Sequence, residues 1–259
     1  MNKILIANWK MNGSINMLNE YINQVMNLPV TLVLPTIYLS LTHSIIDKQP
    51  SLIKLASQEV SIYKDHGPYT GQISATMLQD LEVEYILIGH SELRNYFQSL
   101  LNTFEASDWQ YNKLINAYLK DQLQNSVSAN ITPIFCIGES IEHRIADNYY
   151  NVLLEQLAIL NNLGLNDIIV AYEPVWAIGS GMIPSQAQIS EVSLIIKSFF
   201  TDNYPNINYK IIYGGSVNSD NISNIVNIDN IDGVLVGGTA LKWENLQAMC
   251  WCIQQDSNL

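Results

Sequence analysis

Eight short, mostly β-branched apolar runs recur along the chain, each followed by a longer segment of mixed polarity. They are Ile4–Ala7, Val30–Leu34, Leu52–Ser57, Tyr85–Ile88, Thr132–Cys136, Ile168–Tyr172, Lys210–Tyr213 and Gly233–Val236. Such runs predict strands covered on both faces, as in a parallel sheet. The segments between them carry helical spacing. Ser14–Val25 holds Ile15, Leu18, Ile22 and Val25. Ile141–Leu163 holds Val152, Leu153, Leu157 and Leu160, with Gly164 as a stop. Ser185–Phe200 and Trp243–Gln254 show the same stripe, and each stripe is expected to face the core. Strand–helix alternation of this kind folds either as a closed (β/α)8 barrel or as a doubly wound open sheet. The count of eight favours the α/β barrel, as a single domain over residues 1–259.

Chemistry-bearing residues gather where those strands end. The first run leads into Asn8-Trp9-Lys10-Met11-Asn12-Gly13, and alternation places Asn8 and Lys10 on one side. The fourth leads into Gly89-His90-Ser91-Glu92, with Ser91 suited to cap a following helix. The sixth leads into Ala171-Tyr172-Glu173-Pro174-Val175-Trp176-Ala177-Ile178-Gly179-Ser180-Gly181. Pro174 holds Glu173 extended and ends the strand. The loop beyond is too apolar for a solvated connector and too glycine-rich for a strand. Bracketed by Pro174 and Pro184, it reads as a lid that excludes water. The seventh and eighth runs lead into Gly214-Gly215-Ser216 and Gly237-Gly238-Thr239. Amides unobstructed by side chains after the last two strands of a barrel cradle a phosphate, which points to a phosphate ester without naming a reaction. In a barrel, all these strand ends converge on one mouth.

The Asn-Trp-Lys-Met-Asn-Gly, Gly-His-Ser-Glu and Tyr-Glu-Pro-Val-Trp-Ala-Ile-Gly-x-Gly strings, together with the paired glycines, resemble the triosephosphate isomerase family over essentially the whole chain. The resemblance implies a barrel enzyme that interconverts dihydroxyacetone phosphate and D-glyceraldehyde 3-phosphate, a step shared by glycolysis and gluconeogenesis. It implies Glu173 as base, His90 as electrophile and Lys10 as the cation for substrate phosphate and developing oxyanion. Asn8 would place substrate oxygens. Gly179, Ser216, Gly237 and Gly238 would hold the phosphate, with Glu92 in support. Thr70, on the long loop Glu59–Ser74, would dock beside Asn8 and Lys10 of a second subunit, so a homodimer is implied. No metal or organic cofactor is.

Four features depart from the family pattern. Gln72 and Leu93 stand where the family carries a Glu and an Arg thought to pair across the dimer. Losing both strands no charge but alters the mode of contact. About seven residues around Phe97–Thr103 are inserted. After Gly181 the chain runs directly into Met182-Ile183-Pro184, a short apolar hinge. Two other functions fit parts of the pattern: a different phosphosugar enzyme sharing the glycine cup, and a homologue that only binds phosphosugars or a protein partner.

Composition bounds the rest. The net charge is −12 with pI about 4.6, which gives no general attraction for nucleic acid or an anionic membrane. An anionic substrate therefore needs a local cation. No apolar run approaches the ~18 residues of a membrane span, and Ile4–Ala7 is too short for a signal-peptide core. Cys136, Cys250 and Cys252 form neither a zinc spacing nor an even disulfide set, which places the chain in a reducing cytoplasm. Cys136, among apolar neighbours, is expected to be a buried small hydrophobe and not a nucleophile.

Overall fold

The computed structural model describes residues 3–103, 107–178 and 182–256. Eight strands close into a ring in chain order: β1 (Ile4–Asn8), β2 (Val30–Leu34), β3 (Lys54–Ser57), β4 (Tyr85–Ile88), β5 (Thr132–Ile137), β6 (Asp167–Tyr172), β7 (Asn208–Tyr213) and β8 (Gly233–Val236). Every pairing is parallel. β1 pairs with β2 on one side (Leu5 with Val30) and with β8 on the other (Leu5 with Val234), so the sheet has no edge and the open-sheet alternative is excluded.

Around the ring lie α1 (Ile15–Val25), α2 (Thr36–Ile46), α3 (Ala75–Gln79), α4 (Ser91–Thr103), α5 (Asp108–Ser128), α6 (Ile141–Ile145), α7 (Tyr149–Leu157), α8 (Gln186–Asn203), α9 (Ile222–Val226) and α10 (Trp243–Asp256). Several starts are written in the sequence. The hydroxyls of Ser14, Ser74, Ser140 and Ser185 each accept a hydrogen bond from a first-turn amide, satisfying donors that have no intrahelical partner. Ser185 and Gln188 form a reciprocal capping box.

Alternation along the strands divides the core in two. Ile6, Val33, Leu87, Ile134, Ile169, Ile212 and Leu235 point inward with smaller neighbours and plug the barrel. Leu5, Leu32, Leu55, Phe135, Val170 and Tyr213 point outward and pack under the helices. The strands' apolar runs are continuous because both faces are covered.

Three expectations are corrected. The helix predicted over Ile141–Leu163 is interrupted: α6 and α7 are separate, and a 3-10 turn at Ala158–Leu160 follows α7. Asp147 between them adopts φ +54, a left-handed conformation that no helix propagates. The third strand starts at Lys54 and not Leu52, whose amide instead donates to the Met26 carbonyl. Ser91 is the first residue of α4 and not its cap. Phe97–Thr103, where the sequence reading expects an insertion, lies within α4, which runs for 13 residues.

Candidate active site

At the C-terminal ends of the strands, a cavity of about 340 Å³ is lined by Asn8, Lys10, His90, Glu173, Ser216, Gly237 and Gly238 among others. Ile178 and Ile183, on the two sides of the lid, also line it. The sequence-predicted residues from five different strand ends thus share one space. Gly179 lies outside the described residues.

Trp9 is fully buried against Tyr21 and Tyr38, and its neighbours Asn8 and Lys10 face the cavity. Lys10 sits at φ +51, uncommon for a residue with a side chain and worth about 1–3 kcal/mol of strain. Two hydrogen bonds hold it there. Its amide donates to Asn8 Oδ1 at 2.9 Å, and its carbonyl accepts from Gln58 Nε2 at 2.8 Å. Its Nζ reaches Glu92 Oε1 at 2.8 Å.

His90 occupies the cap position of α4. Its Nδ1 accepts from the Glu92 amide at 3.2 Å, which leaves the ring proton on Nε2. That Nε2 faces Glu173 Oε1 at 3.2 Å. The other carboxylate oxygen of Glu173 accepts from the Ser91 amide at 2.9 Å, so the anion rests on the N-terminus of α4, where backbone amides favour negative charge. Glu173 is only 2% exposed. Its backbone is seated tightly: its amide donates to the Ile137 carbonyl at 2.8 Å, and a Cβ on Gly138 would fall 1.7 Å from its own carbonyl oxygen.

The paired-glycine side of the cavity has room where no side chain intrudes. A Cβ on Gly237 would stand 3.1 Å from Lys10 Cε, whereas Gly238 has open space beside it. Ser216 Oγ donates to the Ala177 carbonyl at 3.4 Å, tying the cup to the base of the lid.

Thr70 is not brought to this cavity within the chain. It lies exposed on a loop braced by parallel stacking of Tyr63 on Tyr69, with ring centroids 3.6 Å apart.

With this geometry in view, likeness to known proteins is decisive. The family model described as triosephosphate isomerase matches residues 3–253. The chain belongs to the triosephosphate isomerase family. Curated triosephosphate isomerases from Neisseria meningitidis serogroup A and Orientia tsutsugamushi are 35% and 36% identical to it. The alignments cover 95% and 98% of this chain and 96% and 99% of those proteins. A crystal structure of triosephosphate isomerase from Bartonella henselae superposes with a TM-score of 0.82 at 27% identity, over 98% of this chain and 100% of that one.

Two groups beside this triosephosphate isomerase site escaped the sequence reading. Glu139 is fully buried, and its Oε1 accepts from Trp176 Nε1 at 2.8 Å, Tyr172 Oη at 3.0 Å and Arg144 Nε at 3.0 Å. It therefore anchors the first turn of the lid. Burial, and then Glu139, push the Tyr172 phenol far above its ordinary value. Arg94 is the second group. Its Nε donates to the Gly89 carbonyl at 2.9 Å and its Nη2 to the Cys136 carbonyl at 3.1 Å, bridging the ends of β4 and β5. Desolvation lowers its pKa, against the field of Tyr111, Cys136 and Glu173. Cys136 is buried as expected. Burial, and then the charge of Glu173, hold its thiol well above the usual range, with Arg94 opposing.

Proposed function

We propose that this chain interconverts dihydroxyacetone phosphate and D-glyceraldehyde 3-phosphate through an enediolate, with Glu173 as base, His90 as electrophile and Lys10 as electrostatic partner. The observation that carries the assignment is the facing of Glu173 Oε1 and His90 Nε2 at 3.2 Å inside the cavity that also holds Lys10 and the paired glycines. This division of roles is the one known for triosephosphate isomerases.

Isomerising an α-hydroxy ketone requires removing a proton next to a carbonyl and returning it one carbon away. One carboxylate reaching both carbons does this without a second base. The enediolate needs a donor for O1 and O2. His90 offers Nε2–H, because its Nδ1 is occupied by the Glu92 amide. Lys10 stabilises negative charge that substrate and intermediate both carry. Removing one preorganised donor of this kind costs about 2.7–4 kcal/mol. Asn8 holds Lys10 in position, while Ser216, Gly237, Gly238 and Gly179 bind the phosphate and so turn remote binding energy into orientation. Closure of the lid over Ile178 and Ile183 removes water and strengthens these interactions. The groups satisfy one another, Lys10 with Glu92 and Glu173 with His90 and Ser91, and substrate oxygens replace those contacts.

The binding-only alternative is not favoured, since the base, electrophile and cation share the cavity. The same reading proposes a single barrel domain, a homodimer and a cytoplasmic location. For the dimer, Met11 is 97% exposed and Ile37 79% exposed. Both line a second cavity of about 540 Å³ that also includes Lys10, Glu92 and Leu93. That apolar concavity suits the Thr70 loop of a second copy, with Leu93 giving an apolar contact in place of a charge pair. For the location, the three cysteines are free, and no helix of the described residues is long and apolar enough to cross a membrane.

A coupled assay on glyceraldehyde 3-phosphate, run across protein concentrations with mass from light scattering, tests the whole. Metal-independent turnover from a dimer supports it. Activity falling on dilution together with mass would show an interface weakened at Gln72 and Leu93. A folded dimer without activity refutes the enzymatic role.

A further inference from the structure

The opposite end of the barrel has no part in this chemistry, yet it is built unlike a structural plug. Barrel interiors are ordinarily filled by layers of branched apolar side chains, and the N-terminal face serves stability. Here the inward positions one step below the apolar plug are Thr31, Lys54, Tyr85, Thr132, Asp167 and Lys210. Each lies two residues before an inward-facing member of the plug: Val33, Ala56, Leu87, Ile134, Ile169 and Ile212 respectively. Instead of closing the barrel they line a cavity of about 330 Å³. That volume falls at the lower end of small-molecule sites, about 300–1,000 Å³. Its lining mixes apolar residues, Ile4, Val30 and Ile168, with the polar side chains named above.

The charge there runs against the chain. Lys3, Lys54 and Lys210 line this mouth, three of only 12 basic residues in a protein of net charge −12. Two of the three are occupied. Lys3 Nζ donates to the Ile231 carbonyl at 2.5 Å, and Lys54 Nζ pairs with Glu84 at 2.8 Å and contacts Tyr85 Oη at 3.3 Å. Lys210 is half-buried, and among the described residues nothing accepts a hydrogen bond from its ammonium. Among the described residues Asp167 is the one carboxylate lining the cavity, and its Oδ1 is oriented by Asn208 Nδ2 at 2.7 Å. A cation without a partner, an oriented acceptor and the hydroxyls of Thr31, Thr132 and Tyr85 together match an anion that also carries hydroxyl donors.

We propose that the N-terminal mouth of the barrel is a second ligand site, which takes a small hydroxylated carboxylate, its carboxylate on Lys210 and its hydroxyl on Asp167. It sits at the far end of the strands from His90 and Glu173, so its ligand stabilises the fold without competing for the catalytic cavity.

L-malate and succinate serve as probes, the second lacking the hydroxyl, against sodium chloride at equal ionic strength. Malate at ten times its Kd stabilises the folded form about elevenfold, which for a chain of this length raises Tm by about 3–6 °C. The expected result is a saturable rise with malate, a smaller one with succinate, and loss of the rise in Lys210→Gln with turnover intact. Asp167→Asn is expected to reduce malate to the level of succinate. Malate is expected to leave KM for glyceraldehyde 3-phosphate unchanged, a measurement that needs no variant. The proposal is overturned by a rise that does not saturate, by an equal rise in Lys210→Gln, or by competitive inhibition with the same constant as the thermal shift.

Discussion

Replacing Glu173 by Asp removes one methylene from the proposed base while leaving its charge in place. The backbone at this position is held by the bond to Ile137 and by close contact with Gly138, so it cannot advance to compensate. The carboxylate therefore withdraws by about 1.5 Å, one carbon–carbon bond. A misplacement of about 1 Å in a reacting group costs on the order of 100-fold, so kcat should fall about 10²–10³-fold. At 1.36 kcal/mol per decade this is roughly 2.7–4.1 kcal/mol of barrier. The phosphate cup and Lys10 are untouched, so KM should stay within about threefold, the pattern of an interaction used in the transition state. The assay is steady-state turnover in both directions, with Tm confirming the fold. Turnover within threefold of the parent, or a loss carried by KM alone, would refute the placement of Glu173 at the reacting carbon.

Three further outcomes test the surroundings of that carboxylate. Gly138→Ala places a methyl where only 1.7 Å separates it from the Glu173 carbonyl; β5 and β6 must part, and kcat should drop by about 10²-fold together with Tm, whereas a neutral effect would mean the contact is soft. Arg94→Met leaves two buried carbonyls without their donor, a cost of about 2–4 kcal/mol or roughly 4–16 °C in Tm; calorimetry showing under about 2 °C would remove Arg94 from the framework. The raised pKa of Cys136 keeps it protonated through mildly alkaline pH, and the thiolate is the reactive form. Disulfide-reagent titration at pH 8.5 should therefore label half-exposed Cys252 at once and Cys136 only on unfolding; prompt labelling of Cys136 would contradict its environment.

The strands were legible because a strand buried on both faces must be apolar throughout, and nothing else in so short a run is. Val30–Leu34, Tyr85–Ile88 and Gly233–Val236 agree residue for residue. The lost helix at Ile141–Leu163 shows the limit. An apolar stripe reports which face is covered, but Val152, Leu153, Leu157 and Leu160 all lie beyond Asp147 and α6 buries none of its residues, so the stripe carries no information about the break. That Asn8, Lys10, His90 and Glu173 share one cavity was legible because strand ends in a barrel point to one place. Glu139 and Arg94 could not, because their roles come from partners far away in sequence. Trp176 lies 37 residues from Glu139, and Cys136 lies 42 from Arg94. No local pattern records such a meeting.

The pairing of β1 with β8 sets the condition under which the site exists. Lys10 and the Gly237–Gly238 cup come from the two ends of the chain, and they become neighbours only when Leu5 finds Val234 across that seam. Such a contact is among the most distant in sequence that this chain can make, and loop-closure entropy opposes it until late in folding. A barrel lacking this seam would keep most of its secondary structure and yet have Lys10 and the Gly237–Gly238 pair on separate strands. Where its rate does not depend on protein concentration, and so is not set by dimer assembly, recovery of turnover during refolding would thus time the last join of the ring, which circular dichroism of the helices would not register.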